Sequence, residues 1–148
     1  MLTKEEIQKH PVLAIVNDIT IFPKINLRKA SKAIRAYGDK YLRPDDLLML
    51  VDNTIFRTAK QGMFLTNEKL FAFSSFSGKF SIPLSEIRTL KPEIKTALKI
   101  ELYGFSLNEN YFVSLPGLGK KVVYDGFTTN GLEILVHSFK LLFDFEFL

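Results

Sequence analysis

The sequence predicts an α+β fold in which antiparallel strands are closed by a C-terminal helix. Three observations lead to this prediction. From residue 46 onwards, short apolar or alternating segments are separated by turn residues, a pattern typical of antiparallel strands. Residues 128–145 then carry apolar side chains at helical spacing, and 148 residues are enough for one hydrophobic core. We expect two regions, an N-terminal helical extension at 1–43 and the main domain at 44–148.

Two helices are predicted at the start of the extension. Thr3 and Glu6 have the spacing of a capping box, in which each side chain binds a backbone N–H group at the start of a helix. After Pro11, apolar residues recur at helical spacing and predict a buried helix over 11–19.

A clearer helix is predicted over 27–37, with Asn26 as its N-cap and Gly38 at its C-terminal end. Its apolar stripe consists of Leu27, Ala30, Ile34 and Tyr37. Its remaining face is basic, through Arg28, Lys29, Lys32 and Arg35. This face is either the exposed side of a helix docked on the domain or a binding surface for anionic lipid or an acidic protein.

About seven strands follow in the main domain, and each is short. Their predicted ranges are 47–51, 63–66, 70–73, 80–84, 88–94, 98–103 and 111–115. The second and third are joined through Asn67 to Lys69 as a hairpin, and Thr128 or Thr129 is the expected cap of the last helix, which runs to about Phe145.

Three segments resemble bacterial pleckstrin-homology-like (PH-like) and GRAM-like domains. The stretch 61–73, QGMFLTNEKLFAF, is similar to their G-x-x-x-T-[ND]-x-[KR]-[LI] hairpin, and 82–87 and 52–56 are similar to flanking segments. The resemblance covers 46–145. It implies a bent antiparallel β-sandwich or barrel of about seven strands, capped by a C-terminal helix. Many members that bind phosphoinositides carry a basic signature after the first strand, where this chain has only Arg57 and Lys60.

The composition excludes several kinds of chemistry. The chain has no cysteine and only two histidines, which argues against disulfides, thiolate sites and multi-histidine metal sites. The motifs G-x-S-x-G, H-E-x-x-H and G-x-G-x-x-G are absent. Residues 116–121, PGLGKK, look like a phosphate loop, but Ser114 and Lys121 stand where that loop needs Gly and Ser or Thr. We expect no catalytic residues, no metal and no cofactor.

The net charge of +4 lies entirely in the first part of the chain. Residues 1–60 carry eleven lysines and arginines against seven acidic residues, whereas 61–148 carry nine of each. The neutral remainder and the lack of an aromatic–basic strand argue against nucleic acid as a partner. The basic excess is centred on the helix at 27–37.

The last helix has a second apolar side besides the stripe that is expected to close the sheet. This side consists of Ile134, Leu141, Phe145 and Phe147. Either the N-terminal helices cover it within the same subunit, or it is an interface with another protein or a second copy.

These observations favour a non-catalytic binding or scaffolding module that acts through protein–protein contacts or self-association, including a homo-oligomer. The alternative is a peripheral module that binds anionic lipid through helix 27–37 at the inner face of the membrane. The N-terminus has no secretory signal and no segment has the length of a membrane-spanning helix, so we expect a cytoplasmic location.

Overall fold

The computed structural model describes residues 1–54, 58–75 and 77–143. It has three α-helices: α1 (Lys4–Gln8), α2 (Leu27–Tyr37) and α3 (Gly131–Phe143). Short 3₁₀ helices lie at Pro11–Ile15, Pro44–Asp46, Leu84–Glu86 and Pro116–Gly119. The strands are β1 (Ile19–Ile21), β2 (Met49–Asp52), β3 (Gly62–Leu65), β4 (Lys69–Ser74), β5 (Gly78–Pro83), β6 (Leu90–Ala97), β7 (Ile100–Leu107), β8 (Tyr111–Ser114), β9 (Lys121–Tyr124) and β10 (Phe127–Asn130).

All strand pairs are antiparallel. A five-stranded sheet has the order β1-β2-β3-β4-β5, a three-stranded sheet has the order β6-β7-β8, and β9 and β10 form a separate hairpin. The prediction of an antiparallel α+β fold with a C-terminal helix is therefore confirmed. The predicted strand number is wrong, because the described chain has ten strands and not about seven. The additional strands are β1, β9 and β10.

The predicted helix over 11–19 is also wrong in its second half. The 3₁₀ helix ends at Ile15, and Ile19 instead pairs with Val51 of β2. The spacing of apolar residues suits both structures over so short a segment. The pairing with β2 favours the strand. Strand β1 lies along the edge of β2 and forms hydrogen bonds with backbone N–H and C=O groups that would otherwise be unpaired beside the core.

One hydrophobic core joins the N-terminal segment to both sheets and to α3. Leu2, Ile7 and Leu13 are buried in the same cluster as Met63 of β3 and Phe139 of α3. The backbone N–H of Leu2 also donates to the carbonyl oxygen of Asn67, at 3.0 Å. Residues 1–43 therefore pack on the sheets, and α1 closes the same core as α3.

Helix α2 covers the opposite face of the five-stranded sheet. Phe64 and Phe71 stack with ring centroids 4.7 Å apart, and Tyr37 lies 5.2 Å from Phe64. Covered on both sides, β2 and β3 are buried at every position, which explains their uninterrupted apolar runs. The buried stripe of α2 is Ala30, Ala33, Ile34 and Tyr37, whereas Leu27, predicted to belong to it, is 61% exposed.

The predicted helix caps are confirmed for α1 and α2 and wrong for α3. Thr3 forms the predicted capping box with Glu6, and the Asn26 side chain accepts a hydrogen bond from the N–H of Lys29. The predicted cap of α3, Thr128 or Thr129, is wrong, because both residues lie inside β10 and the helix begins only after Asn130, the last residue of that strand. Asn130 takes that place, and its Oδ1 accepts from the N–H of Glu133 at 2.9 Å.

A comparison of two glycines, Gly62 and Gly78, tests how closely β2 and β3 approach each other. Gly62 has φ +136°, and a Cβ there would overlap the carbonyl oxygen of Val51. Gly78 also has a left-handed φ of +71°, but open space surrounds its Cα. Backbone strain costs about 1–2 kcal/mol, and overpacking adds about 1–3 kcal/mol. We expect Gly62→Ala to lower the free energy of unfolding by about 2–4 kcal/mol and Gly78→Ala by about 1–2 kcal/mol.

Urea denaturation of the two variants beside the parent chain measures both values. Equal losses would contradict the close approach of the two strands at Gly62.

Candidate functional site

A polar cleft of about 730 Å³ opens where the five-stranded sheet ends beside the chain that follows β8. The end of β2, the residues leading into β3 and the end of β4 supply one side, and the 3₁₀ helix at Pro116–Gly119 supplies the other. Most lining side chains are hydroxyls or amides, including Asn53, Thr54, Thr58, Gln61, Ser74 and Ser75. Two lysines, Lys60 and Lys120, are exposed at this cleft.

Asp52 organises the loop that borders the cleft. This carboxylate is the last residue of β2 and is buried. Its Oδ1 accepts three hydrogen bonds, from the Thr54 N–H at 3.0 Å, the Thr54 hydroxyl at 2.6 Å and the Ala59 N–H at 3.2 Å. The Thr54 hydroxyl in turn accepts from the N–H of Thr58 at 2.8 Å. A single carboxylate therefore fixes both ends of this loop.

The second oxygen of Asp52 binds α2 to the sheet. The Nζ of Lys29 lies 3.3 Å from Asp52 Oδ2. Burial raises the pKa of this carboxyl, but the hydrogen bonds from Thr54 and the charge of Lys29 outweigh it and hold the pKa below its ordinary value. Asp52 therefore stays ionised well into the acidic range.

Tyr37, the last residue of α2, is within reach of the charge of Asp52. Its hydroxyl is buried without a hydrogen-bond partner in the described part of the chain. Burial, and then the negative charge of Asp52, raise the pKa of the Tyr37 hydroxyl above its ordinary value. The phenol is neutral at physiological pH, and its ring packs on Phe64 and Phe73.

The far wall of the cleft is held by contacts between segments distant in sequence. The Asn53 amide donates to the carbonyl oxygen of Ser114 at 3.2 Å, and the Asp52 N–H donates to the carbonyl oxygen of Asp18 at 2.9 Å. The Asp18 carboxylate lies so close to Gly117 that a Cβ there would overlap it. The cleft thus depends on the N-terminal segment as well as on the sheets.

The four predicted anion-binding residues of α2 have different environments. Lys29 forms an ion pair with the buried carboxylate of Asp52. Arg28 and Arg35 are exposed, and Lys32 is half-buried. The basic face that remains free to meet a partner is therefore smaller than the sequence predicts.

The predicted interface residues of the last helix also differ in their exposure. Ile134 is 8% exposed and belongs to the main core, because α3 faces the 3₁₀ helices as well as the sheet. Leu141 is 61% exposed. Phe145 and Phe147, and the predicted end of the helix at Phe145, lie outside the described residues.

Two β-hairpins, which we call the two arms, are exposed features of the structure; the sequence predicted the strands of the first at 88–94 and 98–103 but not its exposure, and it did not predict the second. The first arm is the outer part of the β6–β7 hairpin, from Glu93 to Tyr103. Strand β7 pairs with β6 throughout this part, and its pairing with β8 begins only at Gly104. The second is the β9–β10 hairpin, which pairs with no other described strand. Tyr103 of the first arm packs against Gly119, the residue two positions before β9, so the bases of the arms are adjacent.

Large apolar side chains are exposed on both arms. Leu98, at the tip of the first arm, is 91% exposed, and on the second Phe127 is 74% and Val123 71% exposed. The turn of the second arm is Asp125-Gly126, with φ of 51° and 81°. An Asp-Gly pair between apolar residues is a strong sequence signal for such a hairpin, so this arm was detectable from the sequence.

No family model, curated protein or solved structure matches this chain. Among the residues that the structure describes, no cluster of three or more potential metal ligands is present. No helix within the described ranges has the length and apolar character needed to cross a membrane.

The Asp52 contacts predict a specific pH dependence of stability. The folded-state pKa of Asp52 is lowered, so its contribution is present above the unfolded-state pKa of about 4 and is lost as the pH falls through the folded-state value. We expect Asp52→Asn to lower the free energy of unfolding by about 1–3 kcal/mol at pH 7. At pH 3 the difference from the parent chain should be smaller.

Urea denaturation at both pH values measures the difference. Asp125→Asn is the matched control, because Asp125 is exposed in a turn that asparagine also accommodates, and it should change stability little at either pH. A loss for Asp52→Asn that is the same at pH 7 and pH 3 would refute the ionised role.

Proposed function

We propose that this chain is a non-catalytic protein-binding or scaffolding module built on the PH-like plan. Without β1 and the β9–β10 hairpin, seven antiparallel strands and a closing helix remain, which is the strand number that the sequence resemblance implies. The hairpin at 61–73, which carries that resemblance, corresponds to β3 and β4, and Thr66 accepts the N–H of Lys69 in its turn. The additions to this plan are the N-terminal segment, α2 and the β9–β10 arm.

The two ionisable groups with shifted pKa values, Asp52 at the cleft and Tyr37 of α2, support a binding role over a catalytic one. Asp52 has a lowered pKa and Tyr37 a raised pKa, so both are shifted away from the neutral range in which a general acid or base works best. Each also has a structural position, since Asp52 fixes a loop and Tyr37 packs between α2 and the sheet.

The observation that carries the proposal is the exposure of large apolar residues on the two arms. A hairpin of two strands is marginally stable alone in water, and exposed apolar residues on it are typical of contact surfaces. Burying Leu98, Val123 or Phe127 in an interface contributes up to about 1.5–3 kcal/mol each. The arms also offer unpaired backbone groups at their edges, to which a strand from another protein can add.

Substitutions on the arms test the protein-binding proposal. Leu98→Ser with Phe127→Ser removes apolar surface that makes little contact with the core, so the free energy of unfolding should change by under about 0.5 kcal/mol. Leu27→Ser on α2 is the control for loss of an exposed apolar residue elsewhere, since Leu27 is 61% exposed.

Sedimentation velocity over a concentration series measures self-association, and affinity capture from the native host compares bound proteins. We expect the parent chain and Leu27→Ser to self-associate or to retain the same partner, and the double variant to lose that interaction at least tenfold. A chain that is monomeric at all concentrations, with capture profiles identical for all three proteins, would contradict the proposal.

A second candidate function, binding to an anionic membrane through α2, is favoured by one observation. Leu27 is exposed at the start of the helix, next to Arg28 and just over two helical turns before Arg35. An exposed apolar residue beside cations suits the headgroup region of a lipid bilayer. Because each cation contributes only about 1 kcal/mol there, binding through this face is weak.

Cosedimentation with vesicles of phosphatidylcholine and phosphatidylserine tests the second candidate. Binding should decrease as salt is raised and should be lost in Arg28→Gln/Arg35→Gln, but not in the control Lys79→Gln/Lys99→Gln. Binding that is independent of salt, or equal in both double variants, would rule α2 out as the membrane contact.

A further inference from the structure

We infer that the first arm is a self-association site, at which the exposed edge of β6 pairs antiparallel with the same edge of a second copy of this chain. The two copies are related by a two-fold axis at Ile94. This inference rests on the proposed protein-binding function, because it names the partner of one of the two arms. It is supported by the exposure of β6, by the direction of its backbone hydrogen bonds and by the order of its charges.

Strand β6 has a free edge. Within the described ranges it pairs with β7 alone, as the first strand of the order β6-β7-β8. The residues from Lys91 to Thr96 are exposed, apart from the half-buried Glu93. Ile94, in the middle of this stretch, is a large apolar residue that is 56% exposed. An exposed edge strand is a template to which another strand can add.

The turn of the hairpin fixes which backbone groups face this edge. Residues 98 and 99 form a two-residue turn with φ of 50° and 65°, and Ala97 pairs with Ile100 across it. In such a hairpin the pair that flanks the turn exchanges hydrogen bonds, and so does every second pair along the ladder. Alternate residues of β6, counted back from Ala97, therefore bond to β7. Ile94 and Thr96 belong to the other set, so their N–H and C=O groups point to the free edge.

Pro92 agrees with this assignment and restricts the register. It belongs to the set that faces the edge, where a residue without an N–H group costs the hairpin no hydrogen bond. An axis at Pro92 would place two prolines opposite each other and would lose both central hydrogen bonds. With the axis at Ile94, the two Ile94 residues exchange hydrogen bonds, and Thr96 of each copy donates to the carbonyl oxygen of Pro92 in the other.

The charges of β6 select the same register. With the axis at Ile94, Glu93 of each copy lies opposite Lys95 of the other, because a two-fold axis makes each contact twice. These positions are the non-hydrogen-bonded pairs of the new ladder, at which side chains approach most closely. An axis at Glu93 would place Glu93 opposite itself and Lys91 opposite Lys95. An axis at Lys95 would place two lysines together, so the neighbouring registers are disfavoured.

Both charged side chains are already held on one face of the hairpin. The carboxylate Oε2 of Glu93 accepts a hydrogen bond from the Ser106 hydroxyl at 2.6 Å. The Nζ of Lys95 lies 4.6 Å from the ring centroid of Phe112 and 4.0 Å from the same Glu93 oxygen. Ordering these two side chains in an interface therefore costs less conformational entropy than it would for free ones. On the opposite face, the two Ile94 side chains form an apolar cross-strand pair.

Charge reversal tests the register by sedimentation velocity over a concentration series. We expect the parent chain to form a weak dimer, because a contact between two short strands is small. Glu93→Lys and Lys95→Glu should each weaken it about tenfold or more, since each variant places like charges opposite each other twice. An equimolar mixture of the two variants should associate to within about threefold of the parent, because every facing pair then joins a lysine to a glutamate.

Lys99→Glu is the matched control, since it makes the same charge change at an exposed position in the turn of this arm, outside the paired stretch. It should leave the dimer unchanged. Circular dichroism shows that the single variants are folded, and the exchanged double variant Glu93→Lys/Lys95→Glu should dimerise like the parent.

Amide hydrogen exchange at low and high protein concentration tests the backbone pairing separately. The N–H groups of Ile94 and Thr96 face solvent in the monomer, so their exchange should slow as the concentration is raised. The N–H of Lys95 bonds to β7 in both states and should change little.

Three results would overturn the inference: folded single variants whose mixture does not associate, a dimer unaffected by either charge reversal, or exchange at Ile94 that is independent of concentration. A chain that stays monomeric, yet captures a partner that Leu98→Ser/Phe127→Ser loses, would also overturn it. That last result would leave the proposed protein-binding function intact, so the two failures are distinguishable.

Discussion

Burial of the central strands β2, β3 and β4 on both faces of the five-stranded sheet is the constraint on which the rest of the structure depends. One face packs against α1, α3 and the three-stranded sheet, and α2 covers the other with Ile34 and Tyr37. A sheet covered in this way needs apolar residues at successive positions, which β2 and β3 have. It also fixes α2 as a structural layer, so the polar groups on that helix are held in defined positions relative to the sheet.

The polar cleft is a direct consequence of this arrangement. Strand β2 leaves the buried layer at Asp52, where a carboxylate replaces the apolar side chains that precede it. A buried carboxylate is stable only when its charge is matched, and here Lys29 and the Thr54 donors match it. The pair therefore joins the helix, the sheet and the loop at one point. The polar side chains that line the cleft lie around that point.

Local interactions were predictable from the sequence, and long-range ones were not. The Thr3 cap, the helix at 27–37 and the hairpin turn at Thr66 depend on residues within a few positions of each other, so their patterns are visible in the sequence. Strand β1 has three residues and exists because it pairs with β2, a partner far along the chain. The pairing of Lys29 with Asp52 is equally distant, so the sequence showed Lys29 only as part of a basic face. The arm turn at Asp125 was visible locally and was overlooked.

Native-state hydrogen exchange tests most directly whether α2 is an integral layer of the fold. If it is, the amides of Ile34 in α2 and Phe64 in β3 should exchange only through the same global unfolding, with equal free energies of opening that fall together in denaturant. Exchange of the Ile34 amide at a rate near that of an unfolded peptide, while Phe64 remains protected, would show that α2 detaches on its own and would contradict this account.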